Sequence, residues 1–246
     1  LNLLSCFKFF LKFMKQFIRL FFFSLFLQVN AQDVAILKYN GGGDWYANPT
    51  AIPNLVAFTN QNIKTNISEN PQSVAVNSED IFNFPMLFMT GHGNVFFSDE
   101  EATNLKNYLI SGGFLHISDN YGLDKFIRTE LKKVFPTLEF QEIPSNHPIY
   151  NQTFKFPEGI PKIHEHDKKP AQGFGLFYEG RLIVFYDYET DLSDGWEDQI
   201  IHNNPREVRE TALKMGSNII EYAFTHWFLS KLKQDFFETR NRTKRE

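Results

Sequence analysis

Apolar residues fall along the chain in short blocks, and their spacing alternates between two rhythms. Asp33-Val34-Ala35-Ile36-Leu37-Lys38-Tyr39 is nearly continuous in apolar character and predicts a buried first strand. Gly41-Gly42-Gly43 turns the chain, and residues 49 to 61 follow a helical rhythm with Pro53 in the first turn. Ser73 to Val76 predicts a second strand, and Phe84 to Met89 a third that ends at Thr90-Gly91-His92-Gly93. Ser98 and Glu101 form a capping box that opens the next helix, whose apolar stripe is Ala102, Leu105, Tyr108 and Leu109. Gly112-Gly113 stops that helix before a fourth strand, Phe114-Leu115-His116-Ile117. Leu123, Phe126, Ile127, Leu131 and Val134 mark another helix, closed by Pro136. Residues 137 to 172 read as irregular. Gly175 to Tyr178 and Arg181 to Tyr186 predict a hairpin turning at Glu179-Gly180. A polar loop covers 187 to 204, and a last helix starts at Pro205 with the stripe Val208, Ala212, Met215 and Ile219.

Strands that alternate with helices predict βαβ units and a mainly parallel sheet. Ligands of such sheets bind beyond the carboxyl ends of the strands. Three glycine-bearing polar turns leave strands there, after Tyr39, Met89 and Ile117. Any site is therefore expected at that edge.

The N-terminus follows another logic. Met14 opens a stretch with Lys15 and Arg19 as its basic region, Leu20 to Leu27 as its apolar region, and Val29-Asn30-Ala31 before the cut. This order predicts a signal peptide over 14 to 31, cleaved to leave Gln32, and an exported, periplasmic protein. Residues 1 to 13 read as an upstream extension from a misplaced start codon. The rival is an uncleaved anchor over 1 to 27, which Lys8, Lys12, Lys15 and Arg19 interrupt. The chain of 246 residues then divides into an α/β domain over 32 to 226 and a basic tail over 227 to 246. No membrane span is expected after cleavage.

Cys6, the only cysteine, precedes Met14. The mature chain would lack a disulfide, a thiolate metal site, a lipid-anchor cysteine and a cysteine nucleophile. Removing residues 1 to 31, which hold four cations and no acid, takes the formal charge from −4 to −8. An acidic domain argues against nucleic acid as a partner.

Several groups of residues could carry chemistry. Gly42, Asp44 and Trp45 follow the first strand, where consecutive glycines let backbone N–H groups approach an anion, although the spacing fits no phosphate-loop pattern. Thr90, His92 and Asn94 follow the third strand, with the imidazole presented between two glycines as acid, base or ligand. Asp119 and Asn120 leave the fourth strand toward the same edge, where Asp119 could raise the pKa of His92 or simply cap a helix. His147, His164 and His166 lie in the irregular segment, and His164 and His166 are candidate ligands for a divalent metal. Asp187, Glu189, Asp191, Asp194, Glu197 and Asp198 surround Gly195-Trp196. That run reads as a solvated acidic loop, or as a cation or sugar loop with Trp196 as a stacking face.

The run Phe88-Met89-Thr90-Gly91-His92-Gly93, the helix end Tyr108-Leu109-Ile110-Ser111-Gly112-Gly113-Phe114-Leu115, and Asn146-His147-Pro148-Ile149-Tyr150 together resemble the bacterial family called domain of unknown function 4159. The resemblance covers about residues 33 to 225. It implies a class I glutamine amidotransferase-like, flavodoxin-like fold and brings no established activity. Active amidotransferases carry a cysteine nucleophile on a sharp turn after a strand. Here the corresponding turn holds Asp119, Asn120 and Tyr121, and no Gly-x-Ser-x-Gly elbow surrounds Ser118. Glutamine hydrolysis is not expected. The sequence therefore predicts a non-catalytic module that binds a polar ligand or a protein partner. The alternatives are a hydrolase using His92 and Asp119, with or without a metal, and an interaction scaffold without a pocket.

Overall fold

The computed structural model describes residues 33–165 and 167–242. The expected signal peptide, the upstream extension, Cys6 and His166 lie outside the described residues. Seven strands form one sheet: β1 (Val34–Lys38), β2 (Gln72–Ala75), β3 (Met86–Met89), β4 (Phe114–Ser118), β5 (Gln141–Glu142), β6 (Gln172–Tyr178) and β7 (Arg181–Tyr188). Their spatial order is β2-β1-β3-β4-β7-β6-β5. The first five in that order are parallel, and β6 and β5 add an antiparallel edge. The strands expected near Asp33, Phe84 and Phe114 are β1, β3 and β4, side by side and parallel. This is the α/β, flavodoxin-like arrangement of a mainly parallel sheet flanked by helices.

Both faces of the sheet are covered, which explains why its central strands are apolar at most positions on both sides of the pleat. Helices α1 (Ala51–Ile63) and α5 (Arg206–Arg242) pack Leu55, Val56, Met215 and Ile219 against Val34, Met86, Phe88 and Phe114. Helices α2 (Asp99–Ile110) and α3 (Asp124–Val134) pack Leu105, Leu109, Ile127 and Leu131 against Ala35, Leu37, Leu87 and Ile117 on the other face. Alternate strand residues serve opposite faces, as a pleated strand requires. The capping box of α2 is complete: Glu101 N–H donates to the Ser98 hydroxyl, and Ser98 N–H donates to the Glu101 carboxylate.

The chain leaves β1 for the α1 face to reach β2, and leaves β3 for the α2 face to reach β4. Strand order therefore reverses between β1 and β3. At such a switch point the two outgoing loops part, which is where α/β sheets bind ligands.

The hairpin turns where expected, with Glu179 and Gly180 both at positive φ (+49° and +78°), the geometry of a type I′ turn. Other segments differ from expectation. The irregular stretch contributes β5 and a 3-10 turn at Pro148–Tyr150. The polar loop is structured: β7 runs to Tyr188, a 3-10 turn spans Leu192–Gly195, and a short helix α4 spans Gln199–His202. The last helix continues to Arg242, through most of the stretch read as a basic tail. Among the described residues no helix is long and apolar enough to cross a membrane.

Candidate functional site

The loops after β1 and β3 meet at the switch point and are stitched together. Gly43 N–H donates to the Asn94 carbonyl at 2.9 Å, and the Asn94 side chain donates to the Gly41 carbonyl at 2.9 Å. Asp44 clamps His92 twice. One carboxylate oxygen accepts the His92 backbone N–H, and Oδ2 lies 3.0 Å from Nδ1. His92 is more than half exposed and Asp44 about a third. Partial burial pushes the Asp44 carboxyl up, but the His92 N–H and ring outweigh it and hold Asp44 below its ordinary value. With Nδ1 held on the carboxylate, Nε2 is the nitrogen left to act on a ligand. The partner expected for His92 was Asp119, and the structure supplies Asp44 instead. Gly91 makes this close approach feasible. Its φ is +136°, and a Cβ there would fall 2.2 Å from the Tyr39 hydroxyl, which donates to the Thr90 carbonyl.

Asp119 and Asn120 follow β4 and are buried, with exposures of 5% and 3%. Neither Asp119 Oδ1 nor Asn120 Oδ1 has a hydrogen-bond partner among the described residues. Burial pushes the Asp119 carboxyl up to about 7, with Asp124, Asp191 and Glu189 adding to the rise and the Tyr186 hydroxyl opposing it. Asp119 therefore keeps its proton to well above the ordinary carboxylate range.

Most of the acidic run is not solvated, although Asp194 is half-buried and Asp198 is exposed. Asp187, Glu189, Asp191 and Glu197 are buried, because the run folds back under the loops after β1 and β4. Glu197 accepts from both the backbone N–H and the hydroxyl of Thr50, at 2.8 and 2.9 Å, and so satisfies the start of α1. Glu189 takes an ion pair from Lys169 at 3.2 Å. Asp194 sits between His164 and His202, with Oδ2 3.0 Å from His164 Nδ1 and 3.8 Å from His202 Nε2. Its hydrogen bond to Asp194 raises the His164 pKa. Partial burial opposes ionisation of Asp194, but His164, His202 and Asn48 hold its carboxyl below the usual range.

Two residues that sequence reasoning did not single out, Asn48 and His116, organise this edge. Asn48 joins three loops: its amide donates to the Ser193 hydroxyl and to Asp194 Oδ1, both at 2.8 Å, and its Oδ1 accepts from Asn120 at 3.4 Å. No local pattern marks it. Asn48, Glu189 and Asp191 also hold left-handed backbone (φ +56°, +57° and +52°), strain of the kind that gathers at functional sites. Beneath the loops, His116 Nε2 meets Asp187 Oδ2 at 2.6 Å, and the Ser118 hydroxyl donates to Asp187 Oδ1 at 3.1 Å. Burial drives the His116 pKa down to about 3 and the Asp187 pKa well up, so the pair carries no net charge. A histidine inside the apolar run Phe114–Ile117 was the available signal. Ser118 bonds a carboxyl rather than an imidazole, which leaves it without the base a serine nucleophile needs.

The remaining candidates separate. Thr90 is buried and donates to the Ser118 carbonyl, a structural tie between β3 and β4. Gly42 and Asn94 belong to the exposed stitched turn. Trp45 is half-buried beneath the Lys38 ammonium, 5.1 Å from its ring. Trp196 is not a stacking face. It is fully buried, packs on Phe88 and His116, and donates from Nε1 to the Ala212 carbonyl at 2.8 Å. His147 caps the 3-10 turn through Nδ1 and packs on Phe177 and Tyr222. Tyr222 lies against Phe114 at the start of β4, so His147 is at the opposite edge of the sheet.

Fold and site together define an α/β protein with a polar, acidic carboxyl edge and no cysteine among the residues that build it. A family model described as "Domain of unknown function (DUF4159)" matches residues 33–224, and the chain belongs to that family. No curated protein matches it.

Proposed function

We propose that this protein binds a small polar ligand, rich in N–H or O–H donors, at the carboxyl edge of its sheet, and does so as a binding module without chemistry. The observation that carries the reading is the pair of buried acceptors, Asp119 Oδ1 and Asn120 Oδ1, which have no donor among the described residues. Buried acceptors are nearly always paired, because leaving one unmade costs about 1–3 kcal/mol. A ligand that brings donors would meet both. Asp44 and His92 add a polar rim at the neighbouring switch point. Amines and polyols both have the required chemistry.

The test is a thermal-shift screen of the purified, metal-free protein with putrescine, arginine, glucose and N-acetylglucosamine. At least one probe should raise the melting temperature of the wild type and fail to raise that of Asp119→Asn. His92→Ala should keep wild-type stability within about 0.5 kcal/mol, as surface substitutions do, while weakening the same probe. No shift with any probe would count against the reading.

One observation favours a hydrolytic alternative. Asp44 holds His92 Nδ1 in the way a carboxylate orients a catalytic imidazole, so that Nε2 could activate a water. Turnover of 4-nitrophenyl esters or phosphates that vanishes in His92→Ala would establish it.

The same reading takes the protein as exported, on the strength of the basic, apolar and small-residue order that ends at Ala31. N-terminal sequencing of periplasmic material should begin at Gln32. Recovery of residues 14 to 31 intact in membranes would refute cleavage.

A further inference from the structure

The loop after β7 holds a group of side chains that the polar-ligand reading does not use. His164 Nδ1, Asp194 Oδ2 and His202 Nε2 all lie within 4.8 Å of one another. The carboxylate oxygen is 3.0 Å from the first imidazole nitrogen and 3.8 Å from the second. A tetrahedral ion bound at about 2.0–2.1 Å needs ligand atoms roughly 3.3–3.5 Å apart. The two carboxylate separations bracket that value, and the two imidazole nitrogens, which lie within 4.8 Å of each other, would draw together by side-chain rotation to seat an ion.

The atoms behind the three are also arranged as a metal centre requires. His164 Nε2 faces Asn204 Oδ1 at 2.7 Å, and Asn204 is buried. Without a metal Nδ1–H donates to Asp194; donation from Nε2–H to Asn204 makes Nδ1 the nitrogen that gives up its proton to an incoming ion. Asp194 Oδ1 accepts the Asn48 amide at 2.8 Å, which leaves Oδ2 toward the imidazoles. His164 and Asp194 therefore each have a partner that fixes their orientation, as metal ligands usually do. The three come from separate segments: the stretch before β6, the 3-10 turn and α4. Tertiary structure, rather than a local motif, brings them together.

We propose that His164 Nδ1, Asp194 Oδ2 and His202 Nε2 bind a divalent transition-metal ion, with Zn2+ as the favoured species. Two imidazoles and one carboxylate suit Zn2+ and its neighbours, whereas Ca2+ and Mg2+ prefer all-oxygen sets. Three protein ligands leave a fourth position for water or an external group, and His202 places the site toward solvent. The sequence pointed to His164 and His166 as a metal pair. The geometry retains His164 and adds Asp194 and His202. The inference stands apart from the polar-ligand reading, since neither Asp119 nor Asn120 is a ligand, and each can fail alone.

The experiment uses untagged full-length protein, stripped with chelator and desalted. Zn2+ binding is measured by calorimetry and Co2+ binding by visible absorption. One equivalent of Zn2+ and a four-coordinate Co2+ spectrum are expected. Asp194→Asn and His202→Ala should each weaken Zn2+ at least about tenfold, and Asn204→Ala about 10–100-fold, the range for loss of an outer partner. Because α4 has no buried residue, His202→Ala should fold even if Asp194→Asn does not. A wild type that takes up no Zn2+, or a His202→Ala protein that binds it as tightly as wild type, overturns the proposal.

Discussion

At the scale of the residue, burial decides which acids keep their charge. Asp44 and Asp194 are each held ionised by an imidazole. Asp119 has only the Tyr186 hydroxyl on its side, against burial and three neighbouring acids, and its carboxyl rises to about 7. The consequence for stability has a definite sign. The folded state holds the Asp119 proton up to about pH 7, whereas the unfolded chain releases it near about pH 4. Folding is therefore helped fully below that lower value, and the help is lost as pH rises through 7. The loss is of the order of 4 kcal/mol, taking about 1.4 kcal/mol for each pH unit between the two values. Asp187 is raised in the same direction, but its partner His116 is lowered and acts with the opposite sign, so the comparison with Asp119→Asn is what isolates Asp119. Urea unfolding at pH 5 and pH 8 should show the wild type less stable at pH 8, with Asp119→Asn losing distinctly less. An equal decline in both proteins would place the titration elsewhere.

At the scale of the element, the carboxyl edge consists of loops held by other loops. The β1 and β3 loops are joined through Gly43, Asn94 and the Asp44–His92 clamp. Asn48 then ties the β1 loop to the loops after β4 and β7. Asn48→Ala removes these bonds and leaves a left-handed residue without the side chain that tolerates it. It should cost roughly 1–3 kcal/mol, the range for stranding buried polar partners. Chemical denaturation measures this directly, and a change under about 0.5 kcal/mol would mean that the loops hold without Asn48. The elements themselves were largely legible. Val34–Lys38, Met86–Met89 and Phe114–Ser118 appear as predominantly apolar runs because both faces of the sheet are covered. The α2 start was legible because its capping box is local chemistry. Gln141–Glu142 was not, because two exposed residues gain their strand geometry only from pairing with β6. The length of α5 was missed because its C-terminal third is charged and carries no sharp stop signal.

At the scale of the molecule, the sheet topology predicts the position of the site better than it predicts its membership. Reversal between β1 and β3 puts the His92 turn and the Asp44 loop at a switch point, and alternation of strand and helix was enough to expect that edge. Membership depends on contacts between distant segments, such as His164 with Asp194 and Asn48 with Ser193, which spacing along the chain cannot encode. Trp196 shows the same limit from the other side. Its acidic neighbours made it look exposed, yet Glu197, Asp191, Glu189 and Asp187 are buried with it beneath the loops after β1 and β4. The central claim is that this edge receives a polar ligand. Amide NMR of the labelled protein, titrated with the best probe from the thermal-shift screen, tests it most directly. The account predicts saturable shifts confined to residues 41–48, 90–94, 118–121 and 189–194. Saturable shifts confined to the opposite edge, around His147 and Tyr222, or no saturable shift at all, would contradict it.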